Sequence, residues 1–174
     1  HNFAPFLQKI GLLRMKNRER NRLNELWKAM AGDSLADLLK NRESTEKALC
    51  DMDPNLRKVA ISLLCSHWSR QPELRSQIEK MANEDADLGV RGVAIVHLGV
   101  ICRGTNDREL GVKLANIVRN EHQPARLRSS AYSALINLRA LPFLSPIATL
   151  FYENQNKEFP AGCDWEFVDS FFAK

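Results

Sequence analysis

The chain has 174 residues, 44% hydrophobic and 26% charged, the proportions of a globular protein with enough apolar mass for one sizeable core. That balance excludes wholesale disorder. The longest near-apolar stretch, residues 93–102, is about half the roughly 20 residues of a membrane-crossing helix and is interrupted by His97, so no membrane span is expected. The net charge of +4 is concentrated at the start: residues 1–22 carry Lys9, Arg14, Lys16, Arg18, Arg20 and Arg22 against Glu19, while the remaining 19 basic and 20 acidic residues sum to −1.

In chain order, apolar residues at 3–13 precede the basic cluster instead of following it, which argues against a secretory leader. Leu23, Leu26, Trp27 and Met30 share one helical face, and short helices near 34–40 and 44–50 follow, the earlier region closing at Ala31-Gly32. Asp53-Pro54, Gln71-Pro72 and Ser145-Pro146 place proline at the first helical position, where its missing N–H costs nothing. Asn106 with Glu109 reads as a capping box. Cys102-Arg103-Gly104 and the run at 120–122 end helices. The predicted helices therefore cover 54–69, 72–83, 87–102, 107–120, 124–139 and 145–154, and a last one follows Asp164, a suitable N-cap, through Trp165, Phe167, Val168, Phe171 and Phe172. No segment alternates as a strand, so the fold class is all-α. The helix at 87–102 is apolar nearly all round (Leu88, Val90, Val93, Ala94, Ile95, Val96, Leu98, Val100, Ile101) and must be enclosed. Its Gly89, Gly92 and Gly99 fit a close approach of neighbouring helices.

One register occurs three times: Leu56-Arg57-x-x-Ala60-x-x-x-Leu64, Val90-Arg91-x-x-Ala94-x-x-x-Leu98 and Leu127-Arg128-x-x-Ala131-x-x-x-Leu135. The arginines are 34 and 37 residues apart, room for one helix, a return helix and two turns. With Asp four residues before Arg57 and Arg91, the pattern resembles HEAT-like repeats over about residues 51–154. It departs at Pro124, which stands where the third acidic residue belongs, and in periods below the roughly 40–47 residues of full HEAT units. The length of 174 residues suits a single domain over 1–174. For it the resemblance implies an α-solenoid of stacked antiparallel hairpins, with an irregular N-terminal unit at 1–50, clear repeats at 51–154 and a C-terminal cap at 155–174. It also implies a structural ladder of Asp53, Arg57, Asp87, Arg91 and Arg128, and a concave binding face lined by the second helices.

Cys50, Cys65, Cys102 and Cys163 lack metal-ligand spacing, so buried thiols and a cytoplasmic setting are expected. His67, His97 and His122 are scattered over different elements. No phosphate loop, nucleophile elbow or zinc motif occurs. No enzyme activity, cofactor, metal or small-molecule substrate is therefore expected. Arg57, Arg91 and Arg128 could grip an anion as a stripe, but their place beside Ala and Leu favours bonds to Asp53, Asp87 and free carbonyls. The expected function is binding of a protein partner, as scaffold, regulator or immunity-type inhibitor, through Arg75, Lys80, Lys113, Asn116, Thr149 and Tyr152. These lie opposite Leu74, Ile78, Leu110, Leu114, Ile147 and Leu150. The alternative is nucleic-acid binding like that of HEAT-like DNA glycosylases, using the basic run Arg14–Arg22, which lacks the interleaved aromatics of single-strand binders.

Overall fold

The computed structural model describes residues 42–69, 72–155 and 157–173. The basic run, the Leu23-to-Met30 face and the expected helix near 34–40 lie outside the described residues. Among the described residues every regular element is a helix. The order is α1 (Arg42–Lys47) with a 3-10 helix (Ala48–Cys50), α2 (Pro54–His67), α3 (Pro72–Glu84), α4 (Leu88–Ile101), α5 (Arg108–Arg119), α6 (Ala125–Leu138), α7 (Pro146–Glu153) and α8 (Trp165–Asp169). No strand occurs among them.

Short polar side chains start most of these helices by accepting free first-turn N–H groups. Asp53 accepts from Asn55 N, Asp87 from Val90 N, Asp107 from Leu110 N, Ser145 from Ala148 N and Asp164 from Phe167 N. The expected capping box at Asn106 and Glu109 is corrected by one residue: Asp107 is the N-cap of α5, and Asn106 lies before it at φ 53°. Pro124 opens α6 with no side-chain cap.

Central helix α4 lies between α2 and α6 and also packs on α3, so the apolar ring around it has neighbours on several sides. Val90, Ala94, Ile95 and Leu98 are buried. At Gly99 the approach of α6 leaves no room for a side chain: a Cβ there would lie 2.5 Å from the Ala134 Cα. Leu88 and Val100, expected inside, are exposed, one at each end of the helix.

Helix α3 packs far more extensively on α4 than on α2, and α5 packs on α6. The expected grouping joined 54–69 with 72–83. Helices α3 and α5 instead pack on the helix that follows each of them, and Arg91 and Arg128 sit at those junctions. Arg57 Nη1 donates to the carbonyls of Asp51 and Met52 (2.8 and 3.1 Å), Arg91 Nε to Ala82 (3.3 Å) and Arg128 Nε to Val118 (2.9 Å). Each guanidinium thereby serves carbonyls at or just past the end of the preceding helix, where four acceptors lack intrahelical donors and the dipole favours a cation.

Carboxyl-terminal to α6 the core is aromatic. Tyr132 is fully buried, its ring 5.0–6.2 Å from those of Phe151, Phe159 and Phe167. Its hydroxyl accepts from Asp164 N at 2.9 Å, which satisfies a buried phenol and anchors the start of α8. Phe167, Val168 and Phe171 are buried, α8 contacts α5, and Trp165 and Phe172 remain exposed.

Candidate functional site

The acidic half of the expected ladder is corrected. Asp53 and Asp87 cap their own helices, and the carboxylate that pairs with a repeat arginine is Asp85. Arg57 Nε and Nη2 reach its two oxygens at 2.8 and 2.7 Å, a bidentate pair with both side chains largely shielded. Burial alone would raise the Asp85 pKa; the Arg57 bonds and the Asp87 N–H outweigh it and hold it below the usual carboxylate value. The physical reason is reach: a residue four positions before a helical arginine sits at the helix start, where unpaired N–H groups claim its carboxylate. Asp87 retains a looser contact with Lys58 at 3.7 Å.

The expected partner-binding residues fall into two environments. Lys80, Lys113 and Asn116 are exposed, whereas Arg75, Thr149 and Tyr152 are partly covered. Leu74, Ile78, Leu110 and Leu114 are buried behind the first set. On α7 the expected apolar side is corrected: Ala148 and Phe151 face the core, Ile147 is half-buried and Leu150 is 45% exposed. An eight-residue helix with apolar residues on most sides carries too weak a stripe to announce its inner face.

Arg75 is already occupied. Its Nε meets Glu79 at 2.8 Å and its Nη2 meets Asp107 at 2.7 Å, tying α3 to the N-cap of α5. These two bonds, Glu79 first, raise its pKa. Asp107 is lowered, first by the Leu110 N–H and then by Arg75 against the opposing cost of burial. One turn further along α5, Lys113 pairs with Glu109 at 2.7 Å, and that hydrogen bond raises its pKa. The outer sides of α3 and α5 thus share a charge-compensated patch, with Lys80 and Asn116 at its margins. On the connection to α7, Phe143 stacks on Tyr152 with centroids 5.0 Å apart, while Phe143 is 65% and the neighbouring Leu144 84% exposed.

His97 is buried on α4. Its Nε2 lies 3.1 Å from Ser62 Oγ, which itself donates to the Lys58 carbonyl, so the imidazole donates there; its Nδ1 has no partner. Burial lowers its pKa to about 4. Of the four thiols expected to be buried, Cys65 and Cys102 are, whereas Cys163 is partly covered and Cys50 exposed; burial raises Cys65 to about 12. Among the described residues no group of His, Cys, Asp and Glu is arranged to hold a metal ion, and no helix is long and apolar enough to cross a membrane.

Asp85, Tyr132 and Phe143 carry these arrangements without having been singled out in the sequence. For Asp85 a signal existed: Asp51-x-Asp53 and Asp85-x-Asp87 repeat at the same interval of 34 as the arginines. In both, the first carboxylate accepts from the N–H of the second residue, at 2.8 and 2.9 Å. Comparison with protein-family models, with curated proteins and with solved structures yields no match.

Proposed function

We propose that this chain is a short HEAT-like α-solenoid that binds a protein partner over the face formed by α3, α5 and α7. The observation that carries the reading is the composition of that surface. Arg75, Glu79, Asp107, Glu109 and Lys113 compensate one another across two helices, and the exposed Phe143 and Leu144 follow on the α6–α7 connection. Protein interfaces combine apolar and aromatic anchors with a polar rim. A nucleic-acid surface needs an excess of cations to neutralise phosphates, and on α3 and α5 Arg75, Lys113 and Arg119 already have carboxylate partners.

A photo-crosslinking residue at Asn116, compared with one at the exposed Lys47 on α1, tests this directly in cells producing the chain. The Asn116 probe should trap one discrete protein that the Lys47 probe does not. Lys80→Glu combined with Lys113→Gln should abolish that product while changing stability by no more than about 0.5 kcal/mol per exposed site. Arg75 is left intact, because reversing it would set a carboxylate against Glu79 and Asp107. Trapping of nucleic acid in place of protein would overturn the reading.

A further inference from the structure

A second feature, independent of the α3–α5 face, lies where the start of α5, the end of α6 and the segment after α8 meet. There a pocket of about 210 Å³ is lined by Asn106, Arg108, Arg139, Ser170, Phe171 and Ala173. The backbone around it is pinned. Gly104 N and Asn106 N donate to the carbonyls of Asn137 and Leu138, at 3.2 and 3.4 Å.

What sets these two arginines apart is that both line one pocket. Arg42, Arg57, Arg75 and Arg119 each face a carboxylate, whereas Arg108 and Arg139 have none within ion-pair distance among the described residues. Each is instead held by neutral groups. Arg108 Nη2 donates to the Ala173 carbonyl and Arg139 Nη1 to Asn106 Oδ1, both at 3.4 Å, and the Arg139 guanidinium lies 4.6 Å over the Phe171 ring. A guanidinium has five N–H donors, so these contacts orient each group and leave most of its donors unused. The carboxylate adjacent in sequence, Asp107, is engaged by Leu110 N and Arg75. Ser170 gives its hydroxyl proton to the Phe167 carbonyl and supplies no donor. The pocket therefore presents, on a partly aromatic wall, two oriented cations with no carboxylate partner among the described residues.

We propose that this pocket is a binding site for a phosphate group, whose dianion matches two guanidiniums in charge and offers oxygens to both. The group can arrive as free phosphate or on a phosphorylated side chain. The test is an NMR titration of the full chain at about 150 mM salt with inorganic phosphate, N-acetyl-O-phosphoserine amide and acetate. Inorganic phosphate should move the amides of Asn106 and Arg108 and the Nε–H signals of Arg108 and Arg139. Acetate, with one charge, should bind at least tenfold more weakly. Tighter binding of the phosphoserine compound than of phosphate assigns the site to a phosphorylated chain, and equal or weaker binding assigns it to the free anion. Arg108→Gln and Arg139→Gln should each weaken binding at least tenfold, while Arg126→Gln, an exposed arginine outside the pocket, should not. Should Arg139→Gln unfold the protein, Arg108→Gln alone decides. Shifts spread evenly over all exposed arginines, acetate binding as strongly as phosphate, or indifference to Arg108→Gln would each overturn the proposal.

Discussion

Buried His97 shows how one residue sets a pH dependence. Its ring is nine-tenths covered and Nδ1 has no acceptor to receive a proton's charge, so protonation in the folded state is costly and its pKa falls to about 4. The sign follows from linkage: between about pH 6.5 and 4 the unfolded chain takes up a proton that the folded chain refuses. The stability is therefore full above pH 6.5 and declines as pH falls, by roughly 3 kcal/mol at pH 4. His97→Gln keeps a donor for Ser62 but does not titrate. Thermal unfolding from pH 7 to 4.5 should show the wild type losing its advantage over this variant, and parallel curves would contradict the assignment. The sequence placed His97 among apolar neighbours; whether its two nitrogens find partners depends on what α2 brings opposite them.

Helix ends were the most legible elements. Prolines at 54, 72 and 146 and aspartates at 53 and 164 stand where the helices begin, because the groups that need satisfying are within three residues in the chain. The end of α6 is a case where geometry exceeds what its residues announce. Ala140 N donates to Asn137 O at 2.7 Å and Leu141 N to Ile136 O at 3.1 Å, a Schellman closure with Ala140 at φ 50° in the position glycine usually fills. The left-handed conformation costs a Cβ-bearing residue about 1–2 kcal/mol, and part of that is regained by alanine's smaller unfolded-state entropy. Ala140→Gly should thus stabilise the protein by about 0.5–1 kcal/mol, a rise of some 1–4 °C in Tm. A lower Tm would show that this backbone conformation is not the one adopted in solution.

At the scale of the whole molecule, neighbouring helix pairs are joined by side chains that reach across the repeat. Arg57 on α2 binds Asp85 before α4, and Arg75 on α3 binds Asp107 before α5, separations of 28 and 32 residues. Asp85 also accepts from Asp87 N, so removing it opens a turn as well as an ion pair. Asp85→Ala should cost about 2–4 kcal/mol, somewhat less than loss of a fully buried pair because Arg57 keeps two carbonyl partners. Adding Arg57→Met should recover part of the loss, since the uncompensated cation is then gone. Denaturant unfolding of the two singles and the double closes the cycle, and strictly additive losses would mean that the pair is not coupled.

The sequence by itself determined the helix count over 51–154, most helix starts and the identity of the repeated arginines. Those features rest on local forces: 3.6-residue periodicity, N–H groups awaiting caps, and proline's missing donor. Tertiary structure decided where each arginine reaches, because a guanidinium seeks carbonyls and carboxylates that only folding brings near. It turned Arg57 to Asp85 and away from Asp53, set Arg75 between Glu79 and Asp107, and exposed Leu150 while burying Phe151. It also gathered Arg108 and Arg139, 31 residues apart in the sequence, around one pocket. No local pattern encodes that meeting; it arises because the start of α5 and the end of α6 are held together by backbone bonds between loops.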